Sequence, residues 1–337
     1  MRPRTGISLL LAGLIVLACG WYFGPASRSA ERDDFAARRL LFPDLAPKLQ
    51  NAARVEILHQ GKTLAIAKKG SEWGLADRGN YPVQPTKLHA LFAGLTELRL
   101  DEKRTADPAQ FARLGVEDAG DAKSGSDLVR VLDGAGKPIV QLLVGHRRTR
   151  TQGNLPDTVY VRLPGDNQSW LAEGKLEVDA DARLWLDRDI MKIAPARIAS
   201  VATTRGATTL QFARDGDKLV LRAPADHPPL DADKENDVGH ALEALTLQDV
   251  KPAKDAPGQP EASSVFTTDD GLAVTVSLSH MDKDLWARFD VSGTDKAKPE
   301  ADRLRARLGG WAYQIGSWQE KSLAPTLEDL KAPAPKS

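Results

Sequence analysis

Two stretches of this chain align with each other without a gap. Thr63–Leu75 reads TLAIAKKGSEWGL and Thr209–Leu221 reads TLQFARDGDKLVL. Thr, Leu, Ala, Gly and Leu are identical at matched positions, and Lys68 faces Arg214. An internal repeat constrains a fold strongly, because each copy must form the same supersecondary unit. Each copy predicts a strand, a turn at Gly70 or Gly216 and a second strand, with a preceding strand at Val55–His59 and Ser200–Thr204. Tyr81-Pro82 then corresponds to His227-Pro228. Leu91, Leu95 and Leu98 in one copy, and Val238, Leu242 and Leu245 in the other, have the i, i+4, i+7 spacing of an amphipathic helix. Thr86 and Asp233 are the expected caps. Asp133-Gly134 and Asp270-Gly271 predict later strand pairs closed by tight turns. Tyr160-Val161-Arg162 and Trp286-Ala287-Arg288 are the expected equivalent closing strands.

Each copy thus reads β-β-β-α-β-β-β, an antiparallel sheet with a helix packed on it, and the fold class is α+β. The expected division is a membrane anchor at 1–24, a linker at 25–52, a first repeat unit at 53–174 and a connector at 175–196. A second repeat unit with a C-terminal segment follows at 197–330, and a disordered tail at 331–337. The connector carries Leu176, Val178, Leu184, Trp185, Leu186, Ile190 and Ile193, so it is expected to pack. The second unit carries a Pro-rich loop over 252–262, then Trp311, Tyr313, Ile315 and Trp318, and a short helix near Leu323–Leu330.

Ile7–Phe23 reads ISLLLAGLIVLACGWYF and holds no charge. As a helix it rises about 25 Å, at the short end of what spans a bilayer, and Trp21 and Tyr22 suit its interfacial end. A single transmembrane anchor accounts for the whole run. A cleaved signal needs a small-x-small exit, which Gly24-Pro25-Ala26 supplies poorly. A lipoprotein signal fits Val16-Leu17-Ala18-Cys19 loosely. Lys/Arg counts on the two sides, Arg2 and Arg4 against Arg28, Arg32, Arg38 and Arg39, do not decide orientation. Basic residues directly before the apolar run resemble a secretory n-region and favour export of the rest. The expectation is a single-pass bacterial inner-membrane protein with its C-terminal part in the periplasm, held through residues 7–23, or alternatively a lipoprotein through Cys19.

Several motifs in order resemble a bacterial family, domain of unknown function 4340. They are the N-terminal anchor, Trp73-Gly74-Leu75, Tyr81-Pro82-Val83 before a helix, Leu143-Val144-Gly145, Tyr160-Val161-Arg162, and the Trp-x-Asp-Arg-Asp-Ile segment at Trp185–Ile190. The resemblance runs from about Ala53 to Leu330. It implies an envelope protein of the kind often encoded beside an ABC transporter of the gliding-motility auxiliary type, with an accessory role outside the cytoplasm. It supplies no catalytic residues.

The residues themselves narrow the chemistry. Lys plus Arg and Asp plus Glu both number 46, so the basic excess that a non-specific nucleic-acid binder needs is missing. Cys19 is the one cysteine, which leaves the rest of the chain without a disulfide or thiolate site. His59, His89, His146, His227, His240 and His280 show no metal-pair spacing. Asp231, Asp233, Glu235 and Asp237 look like a calcium loop, but Asn236 and Leu242 stand where Gly and Glu are required, and acids at a helix start are favoured by the macrodipole. No Walker or nucleophile-elbow spacing occurs. Trp73, Trp170, Trp185, Trp286 and Trp311 read as packing residues, with an aromatic carbohydrate platform as the functional alternative. The basic stretch His146, Arg147, Arg148 and Arg150 reads as a solvated hairpin loop or, functionally, as an interaction loop for anionic lipid or an acidic partner.

The expected function is a non-catalytic, membrane-tethered accessory or binding protein, with ABC transporter subunits as partners and no cofactor. The alternative is an envelope hydrolase with a site between the repeat units, assembled from the acids of the Asp-rich helix start with His227 or His240.

Overall fold

The computed structural model describes residues 39–148, 156–256, 258–294 and 296–333. The readings placed on residues 7–23, on Cys19 and on Arg150 lie outside them. Among the described residues no helix is long and apolar enough to cross a membrane.

The first repeat supplies β1 (Ala52–His59), β2 (Lys62–Lys69), β3 (Glu72–Leu75), β4 (Tyr81–Pro82), β5 (Arg99–Lys103), β6 (Asp127–Asp133), β7 (Pro138–Arg148), β8 (Thr158–Arg162) and β9 (Ser169–Glu173). Its helices are α1 (Leu45–Leu49), α2 (Pro85–Glu97) and α3 (Phe111–Leu114). After β10 (Asp189–Met191), the second repeat supplies β11 (Ile198–Arg205), β12 (Thr208–Asp215), β13 (Lys218–Ala223), β14 (Leu245–Thr246), β15 (Asp249–Pro252), β16 (Ala262–Thr268), β17 (Leu272–Met281), β18 (Asp284–Gly293) and β19 (Trp311–Ile315). Its helices are α4 (Ala232–His240), α5 (Lys298–Leu308), α6 (Glu320–Leu323) and α7 (Leu327–Leu330).

The duplication is visible in topology and in register. Strands run β1-β6-β7-β8-β9-β5 in one sheet and β11-β16-β17-β18-β19-β15 in the other, the same order strand for strand. The hairpins agree residue by residue. Lys69 pairs with Glu72 and Ile66 with Leu75, while the aligned Asp215 pairs with Lys218 and Phe212 with Leu221. Gly70 and Gly216 turn these hairpins at φ 63° and 62°, a left-handed conformation that favours glycine. Tyr160 and Trp286 lie on β8 and β18, which hold the same place in the two orders.

Besides the two-residue strands β4 and β14, each copy has two more strands than its apolar pattern suggests. The helix is followed by β5 or β15, and the copy closes with β9 or β19. β5 and β15 are sheet-edge strands reading RLDEK and DVKP. Charge and proline on an edge discourage pairing with other chains and also erase the alternation that marks a strand. The helix ends differ as well. α2 starts at Pro85, so Thr86 lies inside it. α4 is capped by Asp231, whose carboxylate accepts the Asp233 amide at 3.0 Å. It stops at His240, so Leu242 and Leu245 follow the helix, although both are buried. α5 lies where the sequence pattern showed no helix, and the single helix expected near Leu323–Leu330 is the pair α6 and α7. Lys331 and Ala332, read as the start of a tail, pair with Leu230 and Pro229.

The described chain forms two compact units. One holds the residues up to Leu64 with Leu88–Ala180, the other Ala65–Lys87 with Asp181 onward. The first is centred on Val55, Ile57, Val129, Val131 and Leu142, with Leu91 and Leu95 of α2 also fully buried. Each such leucine contributes about 1.5–3 kcal/mol of hydrophobic stabilisation. In the second, Trp185, Phe212, Phe266 and Tyr313 are the largest fully buried side chains. The segment 65–87, read from the sequence as part of the first unit, is bound into this second one. Arg78 holds Asp249 through two hydrogen bonds of 2.9 and 3.1 Å. Tyr81 donates to the Asp187 carbonyl at 3.1 Å and meets Trp311 edge-on at 5.2 Å. Burial drives the hydroxyl pKa of Tyr81 upward, so it remains a donor.

Candidate functional site

His146, Arg147 and Arg148 do not form a loop. They end β7, where Arg147 pairs with Val159 and Arg148 with Thr158. Each has its own neighbour. His146 packs over Gly115, where a Cβ would lie 3.1 Å from the ring. Arg148 covers Tyr160 at 5.2 Å from the ring centroid, a cation–π arrangement. Arg147 borders a 230 Å³ hollow with Asp157, Lys175 and Glu177, two acids and another cation. All three are exposed, but they do not present one uniform basic patch.

Two of the acids around α4, Asp231 and Glu235, do structural work. Besides the Asp231 cap, Glu235 accepts the Leu221 amide at 2.8 Å. Among the described residues no group of three or more His, Cys, Asp or Glu side chains is placed to hold a metal ion. Three of the histidines, His59, His240 and His280, pair with acids. His59 lies 2.8 Å from Asp127, and His280 lies 3.0 Å from Glu261 and 3.4 Å from Glu320. Ser126 is close in sequence to Asp127, yet its buried hydroxyl donates to the Glu117 carbonyl at 2.7 Å. His59 meets only the Ser126 backbone, so these residues are not arranged as a nucleophile with its base.

A different feature stands out in the second unit. Trp318 is 69% exposed, the most exposed large hydrophobic side chain among the described residues. It borders a groove of 520 Å³. Asp237 and His240 of α4 and the following Glu243 line one part, and Trp318, Lys321 and Asp329 another. The walls are held firmly. Lys234 of α4 donates to the Lys331 carbonyl at 2.9 Å, and the Asp231 amide to the Leu330 carbonyl at 2.9 Å. α7 is closed by a capping box in which Thr326 and Asp329 satisfy each other's amides. Burial works to raise the Asp329 pKa, but hydrogen bonds from Thr326 and the charge of Lys321 outweigh it and hold the carboxyl below its ordinary range. His240 lies 3.0 Å from Glu243 through Nδ1 and 3.4 Å from the Asn236 amide through Nε2.

With this geometry in view, the comparisons with known proteins place the chain. The family described as Domain of unknown function (DUF4340) matches residues 73–263. The chain belongs to this family. The match is narrower than the resemblance read from about Ala53 to Leu330, and it begins at Trp73 and ends within β16. No curated protein and no solved structure matches the chain. Within the DUF4340 region, the short motifs have structural explanations. A Cβ on Gly74 would run into the Asn80 carbonyl. Trp185 is fully buried with the Lys87 ammonium 5.1 Å from its ring centroid, and Arg188 donates to the Leu247 carbonyl at 3.1 Å. The α4 wall of the groove lies inside the DUF4340 match, and Trp318 with its neighbours lies beyond it.

Of the residues named in the hydrolase alternative, the groove brings Asp237 and His240 together. His227 is not among its lining residues, and it hydrogen-bonds the Pro228 carbonyl. Sequence reasoning noted Trp318 in the C-terminal segment, gave it no role and missed its exposure. A lone tryptophan carries no signal of which way it faces.

Proposed function

We propose that this chain is a non-catalytic binding or accessory protein, tethered to the bacterial inner membrane with its large C-terminal part in the periplasm, and associated with an ABC-type transport system. The uncharged run Ile7–Phe23 supports the tether, and the family resemblance supports the transporter association. The binding half is carried by one observation: an exposed indole stands at the edge of a polar groove. An aromatic ring beside a concave surface with convergent polar groups is the arrangement of a small-ligand site.

The test is affinity purification of the full-length chain from cross-linked membranes. Transporter subunits should co-purify in stoichiometric amounts. A chain that leaves the membrane in a salt wash would overturn the tether, and a chain that purifies without transporter subunits would overturn the association. Palmitate labelling that depends on Cys19 would replace the transmembrane anchor by a lipoprotein anchor.

A hydrolase is the second reading, favoured by the meeting of Asp237, His240 and Glu243 in one groove. It predicts turnover of an ester, amide or glycoside that His240→Gln abolishes without loss of fold.

A further inference from the structure

We propose that the Trp318 groove is a binding site for a neutral saccharide. The proposal rests on the binding-protein reading above, and it does not depend on where the chain is located.

The indole is presented as a fixed platform. A Cβ on Gly316 would collide with the six-membered ring of Trp318, so one part of that ring lies directly over the glycine backbone. The turn beneath it is pinned, because the Gly316 amide donates to Gln319 Oε1 at 3.1 Å and Ser322 Oγ to the Gln319 carbonyl at 3.1 Å. The rest of the ring faces solvent. A rigid aromatic surface loses little conformational entropy when a ligand covers it. Its electron-rich face attracts the weakly positive C–H bonds that a pyranose presents on its flat side.

The rest of the lining suits the hydroxyl rim of such a ring. Asp237 and Glu243 offer carboxylate acceptors, and Lys321 and Gln319 offer donors. The polar groups are already partnered: Lys321 lies 3.7 Å from Asp329, and His240 Nδ1 lies 3.0 Å from Glu243 Oε2. An anionic ligand would meet three carboxylates, those of Asp237, Glu243 and Asp329, against the two ammonium groups of Lys234 and Lys321. An apolar helix would bury them without hydrogen-bond partners, which is costly. A neutral polyol satisfies the polar groups and covers the indole. The 520 Å³ volume lies within the ordinary range for small-ligand sites.

The experiment uses the full chain in a detergent without sugar headgroups, titrated by calorimetry with maltotetraose, cellotetraose and chitotetraose. At least one should bind saturably. Trp318→Ala should weaken that binding about tenfold or more, the scale of a lost central anchor. Trp318→Phe should restore part of it, and Asp237→Asn should weaken it without abolishing stacking. Near-ultraviolet circular dichroism confirms that the variants remain folded. No binding by any of the three sugars, or binding that Trp318→Ala leaves unchanged, overturns the proposal. That failure leaves the membrane purification result untouched, so the two readings fall separately.

Discussion

Helix α2 runs from Pro85 to Glu97 and buries Leu88, Leu91 and Leu95, whereas its counterpart α4 runs only from Ala232 to His240 and buries Val238 and Gly239. The first lies between β4 and the edge strand β5, and the second between β13 and β14, with the edge strand β15 next. The first is an apolar plug. The second reads ADKENDVGH, a sequence whose glycine and acids are poor helix formers, and it stops early. The C-terminal segment that carries Trp318, α6 and α7 comes after β19, the last strand of the second copy, and has no equivalent after β9. The groove is therefore lined where the copies diverge. Duplication produces the scaffold, and the departures from it produce the candidate site.

The largest expected effect tests whether the copies share a core despite this divergence. Leu95 and Leu242 are both fully buried, one inside a helix and one just beyond a helix end. Truncating either to Ala should cost about 2–5 kcal/mol, by transfer and cavity terms together. Urea denaturation of the two variants measures it. A cost for Leu242→Ala of less than about a third of that for Leu95→Ala would break the equivalence at this position.

A smaller effect sharpens the comparison at the hairpins. Gly70 and Gly216 share φ near 63° and 62° and have open space where a Cβ would stand. Replacement by Ala therefore adds backbone strain and no clash, about 1–2 kcal/mol in each copy. Equal losses in thermal melts are the expected result. Unequal losses would show that the matched turns carry different loads.

These paired positions also show what a single sequence exposes. The hairpins were legible because the repeat fixed their register, and the glycines marked the turns. The helices were legible as apolar periodicity, but their ends were not: Leu242 and Leu245 continue the i, i+4, i+7 series after the helical backbone has stopped. Edge strands β5 and β15 were illegible because charge replaces alternation there. The basic stretch at 146–148 was read as a loop because its charges interrupt the apolar run, while the backbone ladder of β7 continues through it. The groove was least legible of all. It depends on Trp318 facing outward and on the C-terminal strap returning to α4, and both are tertiary facts.

The strap itself has no partner in the first copy, so its contribution is measured alone. Thr326→Ala removes the hydroxyl that accepts the Asp329 amide at 3.2 Å and should cost about 1 kcal/mol at neutral pH. The Asp329 carboxyl has a lowered pKa in the folded chain. Its stabilisation is therefore fully present above the unfolded value, about 3.9, and is lost as pH falls through the lower folded value. Wild-type stability should drop on acidification across that window, and Asp329→Asn should lack this component. Hydrogen exchange of residues 326–331 against pH reports it locally. Identical pH profiles for the two proteins would remove Asp329 from the account.

The smallest expected effect is on Trp318, and its smallness is the point. A tryptophan kept for packing is buried, and its truncation costs about 3–5 kcal/mol. Trp318 is 69% exposed, so most of its apolar surface gains nothing from folding. Its contact over Gly316 is modest, and Trp318→Ala should change unfolding free energy by about 0.5 kcal/mol or less, the range of ordinary surface substitutions. Trp185, fully buried in the same unit, is the internal control and should show the full cost of losing a core tryptophan. If Trp318→Ala instead destabilised the fold as strongly as Trp185→Ala, the exposed indole would be a packing element of the C-terminal strap. The groove would then lose the one feature that distinguishes the second copy as a binding surface.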